Sequence, residues 1–285
     1  MSFLGRNIGV VAPSGMFQLD KLEQGCALLR SWGYHTIFSP HLHERHLFSA
    51  GTPKQRAADI EWACQNQDVD IIWYARGGYG TIQILPLLTQ SITKPVLGFS
   101  DATALGVHLS NQKSELFYHA PVIHSLSYLC DEATKEALRS FLSTGILPSL
   151  AISPIQNTNH APIKARVVGG NLCVLSTALG TPYQIQAQNT ILLLEDIGEP
   201  AYKIHRMLTQ MRLGGIFDSV QAIVFGTFTD CPSTKEYTIL DTILDALDGI
   251  NIPIYANAPF GHGTENLLWN AGTTYTLHNG MLYVE

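Results

Sequence analysis

The chain has 285 residues, of which 46% are hydrophobic and only 14% charged, and its formal net charge is −6. An average globular chain carries roughly 25% charged residues, so this composition suits buried cores and excludes a disordered or nucleic-acid-coating protein. The acidic balance and the lack of a Lys/Arg cluster provide no field that would gather polyphosphate, so nucleic acid is not an expected partner.

The chain begins with MSFLGRNIGVVAPSG, an apolar run that ends within a few residues at Pro13 and Gly15. It has no charged n-region before a long apolar stretch, so residues 7–12 read as a first strand and not as a secretory leader. An amphipathic stretch from about 18 to 32 predicts a helix, and 36–38 a strand. Thr52 followed by Pro53 predicts an N-cap and first turn for a helix reaching about Gln65. Residues 70–75, 96–100 and 116–119 read as further strands with helical segments between and after them. This alternation predicts an α/β fold with a doubly wound, mainly parallel sheet of flavodoxin-like type over residues 1–145. Ligands of such sheets bind beyond the carboxyl ends of the strands.

From 145 to 162 the sequence GILPSLAISPIQNTNHAP loses apolar period and becomes rich in Pro, Ser, Asn and Thr, so 146–163 is expected to be a linker. Residues 164–285 are expected to form a smaller mixed α/β domain. Its signals are strands at 191–194 and 220–225, a helix at about 200–212 and a hairpin at Asn279-Gly280. No segment reaches the roughly 18 continuous apolar residues of a membrane helix, and a cytoplasmic location is expected. Cys26, Cys64, Cys130, Cys173 and Cys231 are odd in number and form no C-x-x-C pair, which predicts reduced thiols.

Five stretches carry residues suited to chemistry. HLHERH, residues 41–46, gathers His41, His43 and His46 but has no matching Cys/His group elsewhere, so no metal is predicted. RGGYG, residues 76–80, follows a strand, and its paired glycines permit close backbone approach to a ligand; it is either a supplier of an oxyanion donor or an ordinary turn. It lacks the length and lysine of a phosphate-binding loop. KPVLGFSDATALGVHLS, residues 94–110, sets Ser100 between an apolar strand and a helix with small neighbours Gly98 and Ala102. Such a turn exposes a nucleophilic hydroxyl; the alternative is that Ser100 caps the helix. LLLEDIGE, residues 192–199, ends an apolar run with Glu195 and Asp196, which on a strand face opposite sides, so only one can join a shared site. FGHGTEN, residues 260–266, brackets His262 with glycines in a loop, where an imidazole suits proton transfer near neutrality.

Taken in order, RGGYG, GFSDAT, GGNLCVLSTALGTPY (residues 169–183), LLLEDIGEPAYKIHR and FGHGTEN resemble the LD-carboxypeptidase family of serine peptidases, along nearly the whole chain. The resemblance implies a nucleophile at Ser100, a general base at His262 and an orienting carboxylate at Glu195, with Gly77 and Asp101 as backbone oxyanion donors. The site would then form between the two halves of the chain. It also implies a murein tetrapeptide substrate whose terminal D-alanine is released, and no cofactor. A carboxypeptidase must read a free carboxylate, for which Arg76 and Arg206 are the candidates. A homodimer is implied as well. The chain departs from the family in having His205-Arg206 where Asp-Arg is common, and Asn270 near a usual proline. Two alternatives stand beside this reading: the related microcin C immunity peptidase, acting on a peptide-nucleotide antibiotic, and a non-catalytic small-ligand-binding protein.

Overall fold

A computed structural model describes Phe3 and residues 6–285. The first half runs β1 (Asn7–Val11), α1 (Leu19–Ser31), β2 (His35–Phe38), α2 (Pro53–Gln65), β3 (Ile71–Tyr74) and α3 (Thr81–Ile84). It continues with β4 (Val96–Gly98), α4 (Thr103–Asn111), β5 (Phe117–His119), α5 (Ile123–Leu126) and α6 (Glu132–Thr144). The second half begins with β6 (Leu150–Ala151), β7 (Ser153–Gln156), β8 (Ile163–Asn171), α7 (Leu172–Thr177), β9 (Thr190–Ile197) and α8 (Ala201–Leu213). It ends with β10 (Ala222–Thr229), α9 (Ile239–Ala246), β11 (Ile254–Ala256), β12 (Trp269–Ala271), β13 (Thr274–His278) and β14 (Met281–Tyr283).

Local chemistry accounts for several of these boundaries. Thr52 and Gln55 form a reciprocal capping box at the start of α2, with Pro53 in the first turn. Asp131 caps α6 by accepting from Thr134 N, and Gly145 ends it in the left-handed conformation. Asn279 and Gly280, both at positive φ, make the turn that returns β13 antiparallel to β14, as their sequence predicts.

The strands form two sheets. One has six strands in the order β12-β5-β4-β3-β1-β2, with β1 to β5 parallel and β12 antiparallel at the edge. The other has eight, in the order β6-β14-β13-β8-β9-β10-β11-β7, with β8 to β11 as its parallel centre. Three buried clusters hold them. One joins the facing sheet surfaces through residues such as Leu105, Phe117, Val167, Leu193, Val224 and Trp269. The second covers the outer face of the first sheet with α1, α5 and α6, and the third covers the second sheet with α7, α8 and α9. Each fully buried Leu, Ile or Phe contributes about 1.5–3 kcal/mol.

The structure differs from the sequence reading in several places. The stretch expected as a linker supplies β6 and β7, which pair at opposite ends of the second sheet, so its polar composition belongs to edge strands. The second half carries the larger sheet and also gives β12 to the first, a pairing the sequence reading did not contain. Finally, β4 stops at Gly98, and Ser100 already belongs to a 3-10 turn, Ser100–Ala102. The parallel strands of both sheets lead their carboxyl ends into one region, where the loops after β1, β3, β4, β9 and β11 meet.

Candidate active site

Ser100 sits where β4 turns toward α4. Phe99 is extended, whereas Ser100 has a φ of 61°. A non-glycine residue held in that region costs on the order of 1–3 kcal/mol, so its surroundings must impose it. The Asp101 carboxylate, buried to 3% exposure, accepts from Ser14 Oγ at 2.6 Å and from Thr81 N at 2.8 Å. These bonds tie the turn to the loop after β1 and to the start of α3. The Ser100 hydroxyl does not act as a helix cap: the N-cap of α4 is Ala102, and no side-chain cap bond is made there.

Gly77 lies directly against the serine. A Cβ at this position would sit 2.8 Å from Ser100 Cβ and 3.0 Å from Oγ, so any larger residue would displace the hydroxyl. The buried Arg56 guanidinium shapes this glycine loop by donating to Gly80 O at 2.8 Å and to Gly51 O at 3.1 Å. Among the described residues the Gly77 and Gly78 amides have no protein acceptor.

Glu195 and His262 come from the second half. β9 runs three residues beyond the expected end, and the two adjacent carboxylates diverge as strand alternation requires. Glu195, fully buried, takes His262 Nδ1 at 2.7 Å. Asp196 turns the other way: it accepts from Asn171 Nδ2 at 2.9 Å and from Cys173 N at 3.0 Å, fixing the start of α7. Burial pushes the Asp196 carboxyl up to about 6, against the opposing hydrogen bonds from Ile197 N and Asn171, with the Glu195 charge adding to the rise. At His262, burial disfavours the imidazolium, but the Glu195 carboxylate outweighs it through charge and hydrogen bond, so the pKa stands above its ordinary value. With Nδ1–H given to Glu195, Nε2 is the lone-pair nitrogen.

Ser100 and His262 line one cavity of about 400 Å³, together with Arg76, Gly77, His124, Ser125 and Tyr128. No hydrogen bond joins them among the described residues; such contacts often tighten only when substrate is bound. Ser100 also lines an adjoining space of about 520 Å³ bounded by Tyr79, Asp101, Asn171, Cys173, Asp196 and Glu199. The hydroxyl thus stands between a lobe with a guanidinium and a lobe with carboxylates. Cys173 is not a rival nucleophile, because burial pushes its thiol up to about 11, with Asp196 and Glu199 adding to the rise.

The two candidate arginines part company. Arg76 borders the serine cavity and donates to Met16 O. Arg206 is exposed on α8 over the Tyr202 ring, centred 5.7 Å away, and lines neither lobe, because Ile204, Met207 and Leu208 take the buried face of that helix. Of the histidine group, His41 bonds Asp59 at 2.8 Å and His43 packs on Phe17 and Phe38.

Sequence reasoning overlooked Asn171, His119 and His124. Asn171 donates to Asp196 from the end of β8 and caps α7, and its position before an apolar helical run was the available signal. It also receives the first half directly, since Asn171 N donates to Thr103 Oγ1 at 3.0 Å. At neighbouring Gly170, φ is 135° and a Cβ would lie 2.4 Å from that same hydroxyl. His119 ends β5 as Ser100 follows β4. His124 opens into the serine cavity and is held neutral down to about 4 by burial and by the charges of Arg76 and Lys21.

Models of the LD-carboxypeptidase N-terminal domain and C-terminal domain match residues 8–120 and 164–277. The murein tetrapeptide carboxypeptidase of Pseudomonas aeruginosa is 30% identical over 96% of this chain and 94% of its own. Among solved structures, the muramoyltetrapeptide carboxypeptidase of Oxalobacter formigenes superposes with a TM-score of 0.83 at 25% identity, covering 97% of both chains. The microcin C7 self-immunity protein MccF, in complex with glutamyl sulfamoyl guanosine, gives 0.86 at 19% identity over 99% of this chain and 96% of that one, a likeness of fold.

Proposed function

This chain belongs to the LD-carboxypeptidase family, and from that premise we propose that it is a serine carboxypeptidase releasing the terminal D-alanine of a murein tetrapeptide. The observation that carries the reading is the buried Glu195–His262 pair bordering the same cavity as a serine held at positive φ.

In this mechanism His262 Nε2 takes the Ser100 proton as Oγ bonds to the peptide carbonyl carbon. Glu195 holds the Nδ1 tautomer and stabilises the imidazolium that forms. The Gly77 and Asp101 amides receive the oxyanion. His262 then returns the proton to the leaving amine, the C–N bond breaks, and water repeats the sequence on the ester to free Ser100. Arg76 reads the carboxylate of the departing residue in its lobe, which places the acyl side of the substrate toward Asp196 and Glu199. The first sheet, whose strand order reverses at β1, is read as doubly wound. The enzyme acts in the cytoplasm as a homodimer, and sedimentation of the purified protein tests the second of these statements. On the described helices, none is long and apolar enough to cross a membrane.

Purified protein incubated with murein tetrapeptide should release D-alanine. The same peptide with an amidated terminus should be cut far more slowly, and Ser100→Ala should lose at least about 10³-fold in turnover. Cleavage of an acyl-sulfamoyl adenylate in preference to the tetrapeptide would transfer the assignment to an immunity-type peptidase. Normal turnover by Ser100→Ala would end the serine mechanism.

A further inference from the structure

Behind the Glu195–His262 pair lies a group that the mechanism above does not use. His119, 1% exposed at the end of β5, is paired in register with Gly98 of β4 on one side and Trp269 of β12 on the other. Its ring stacks on the Trp269 indole at 4.9 Å and 15°, and meets Phe99 at 5.7 Å and Phe260 at 5.8 Å. Those two phenylalanines lie one residue before Ser100 and two before His262. Phe99 itself packs on the His262 ring at 4.6 Å. His119 therefore touches the supports of both the nucleophile and the base.

Among the described residues, both ring nitrogens of His119 and Trp269 Nε1 within this aromatic box, and Oε1 of Glu195, whose charge His119 feels, are buried without a protein partner. A buried polar group left unmet costs the full loss of its hydration, and buried groups of this kind are ordinarily paired. They are also complementary in kind: a neutral imidazole and an indole each offer one N–H, and a carboxylate oxygen only accepts. The charged or titratable groups that His119 senses are Glu195, from β9, and His262, from the loop after β11. Burial outweighs the Glu195 attraction and, with the His262 charge, holds His119 neutral down to about 4.

We propose that His119 is a positioning residue for the Glu195–His262 pair, an uncharged imidazole whose N–H serves the second carboxylate oxygen of Glu195, directly or through one internal water. Glu195 Oε2 holds the base, and Oε1, held from behind, cannot swing away from it. The donated hydrogen bond also draws off part of the carboxylate charge, so it moderates how strongly Glu195 favours the imidazolium. The inference rests on the peptidase reading, and its test separates the two.

His119→Phe keeps an aromatic ring for the Trp269 stack and removes the donor. It should lower kcat about 10- to 100-fold with KM within about twofold, the size of one lost charge-assisted hydrogen bond. The acid limb of its pH profile should move upward, because Glu195 without that donor stabilises the His262 imidazolium more strongly. One of His119→Asn and His119→Gln, which return an amide N–H near one ring nitrogen or the other, should recover most of the rate. A His119→Phe variant with wild-type kcat and an unmoved acid limb would reduce His119 to packing. Should that variant fail to fold, ¹⁵N-labelled histidine spectra of the intact protein decide. His119 should show one protonated ring nitrogen, no titration between pH 5 and 8, and a resonance that shifts in Glu195→Gln; titration near the ordinary histidine value, or no response to Glu195→Gln, overturns the proposal. Loss of activity in His119→Phe alongside full activity in Ser100→Ala would instead count against the peptidase reading.

Discussion

Ser100 and His262 border one cavity, yet the segments that present them are secured by different means. The first half holds its serine with backbone: a left-handed residue, a glycine loop pressed against its Cβ, and the Asp101 carboxylate bonded to the loop after β1 and the start of α3. The second half holds its histidine with charge, through a buried carboxylate at 2.7 Å. A mount made of sterics tolerates little change in shape, whereas a mount made of charge tolerates little change in protonation. Substitutions and pH should therefore act on different halves.

The largest expected effect falls on the charge side. Glu195→Gln preserves size but lets an amide face Nδ1, which disfavours the working tautomer, so kcat should fall about 10³- to 10⁴-fold while the thermal midpoint changes little. A loss below tenfold would mean that His262 orients itself without Glu195. On the steric side, Gly77→Ala should cost about 10²- to 10³-fold in kcat by displacing Ser100 and the proposed oxyanion donor. Its KM for the tetrapeptide and its His262 titration should be unchanged. Should Gly77→Ala shift the pH profile instead, the two mounts are not separate.

Smaller is the pH effect. His262 must be neutral to accept a proton, and Glu195 raises its pKa, so kcat/KM in the wild type should rise with pH through a midpoint above the ordinary histidine value of about 6.5. Stability should change over a lower range. His119 and His124 are both held neutral to about 4 in the folded protein. The unfolded chain binds their protons first, so stability is retained above the unfolded value and lost as pH falls toward 4. Asp196, held up to about 6, and His262, held above its ordinary value, act in the opposite direction, so the check is a comparison of denaturant titrations of wild type and His124→Gln between pH 7 and 4.5; an equal loss of stability in the two proteins would contradict the His124 contribution.

Much of the first half was legible because each strand is a short apolar run bounded by a helix signal, and β3, with all four residues buried, is the plainest case. The full length of β9 was not. Glu195 and Asp196 look like a polar strand end, and they are buried only because His262, Asn171 and the start of α7 close over them. Nor could β12 be read, since Trp269–Ala271 is three residues long and its partner is distant in the chain. Ser100 was found by its small neighbours, but its φ depends on Gly77, a close approach with no local pattern. The guanidinium choice was open for the same reason: Arg76 and Arg206 are equivalent as residue types, and only the packing of α8 sends one of them away from the cleft.

The strand that the second half lends to the first sheet has a consequence for how the protein is made. During synthesis β5 would emerge with an open edge and wait about 150 residues for Trp269 to arrive beside His119. Pairings so remote in the chain form late and leave unpaired backbone on offer meanwhile. The indole that completes the sheet also stacks on the imidazole near the candidate catalytic pair, so the nascent chain has neither a finished edge nor a finished site until residues 269–271 have been made.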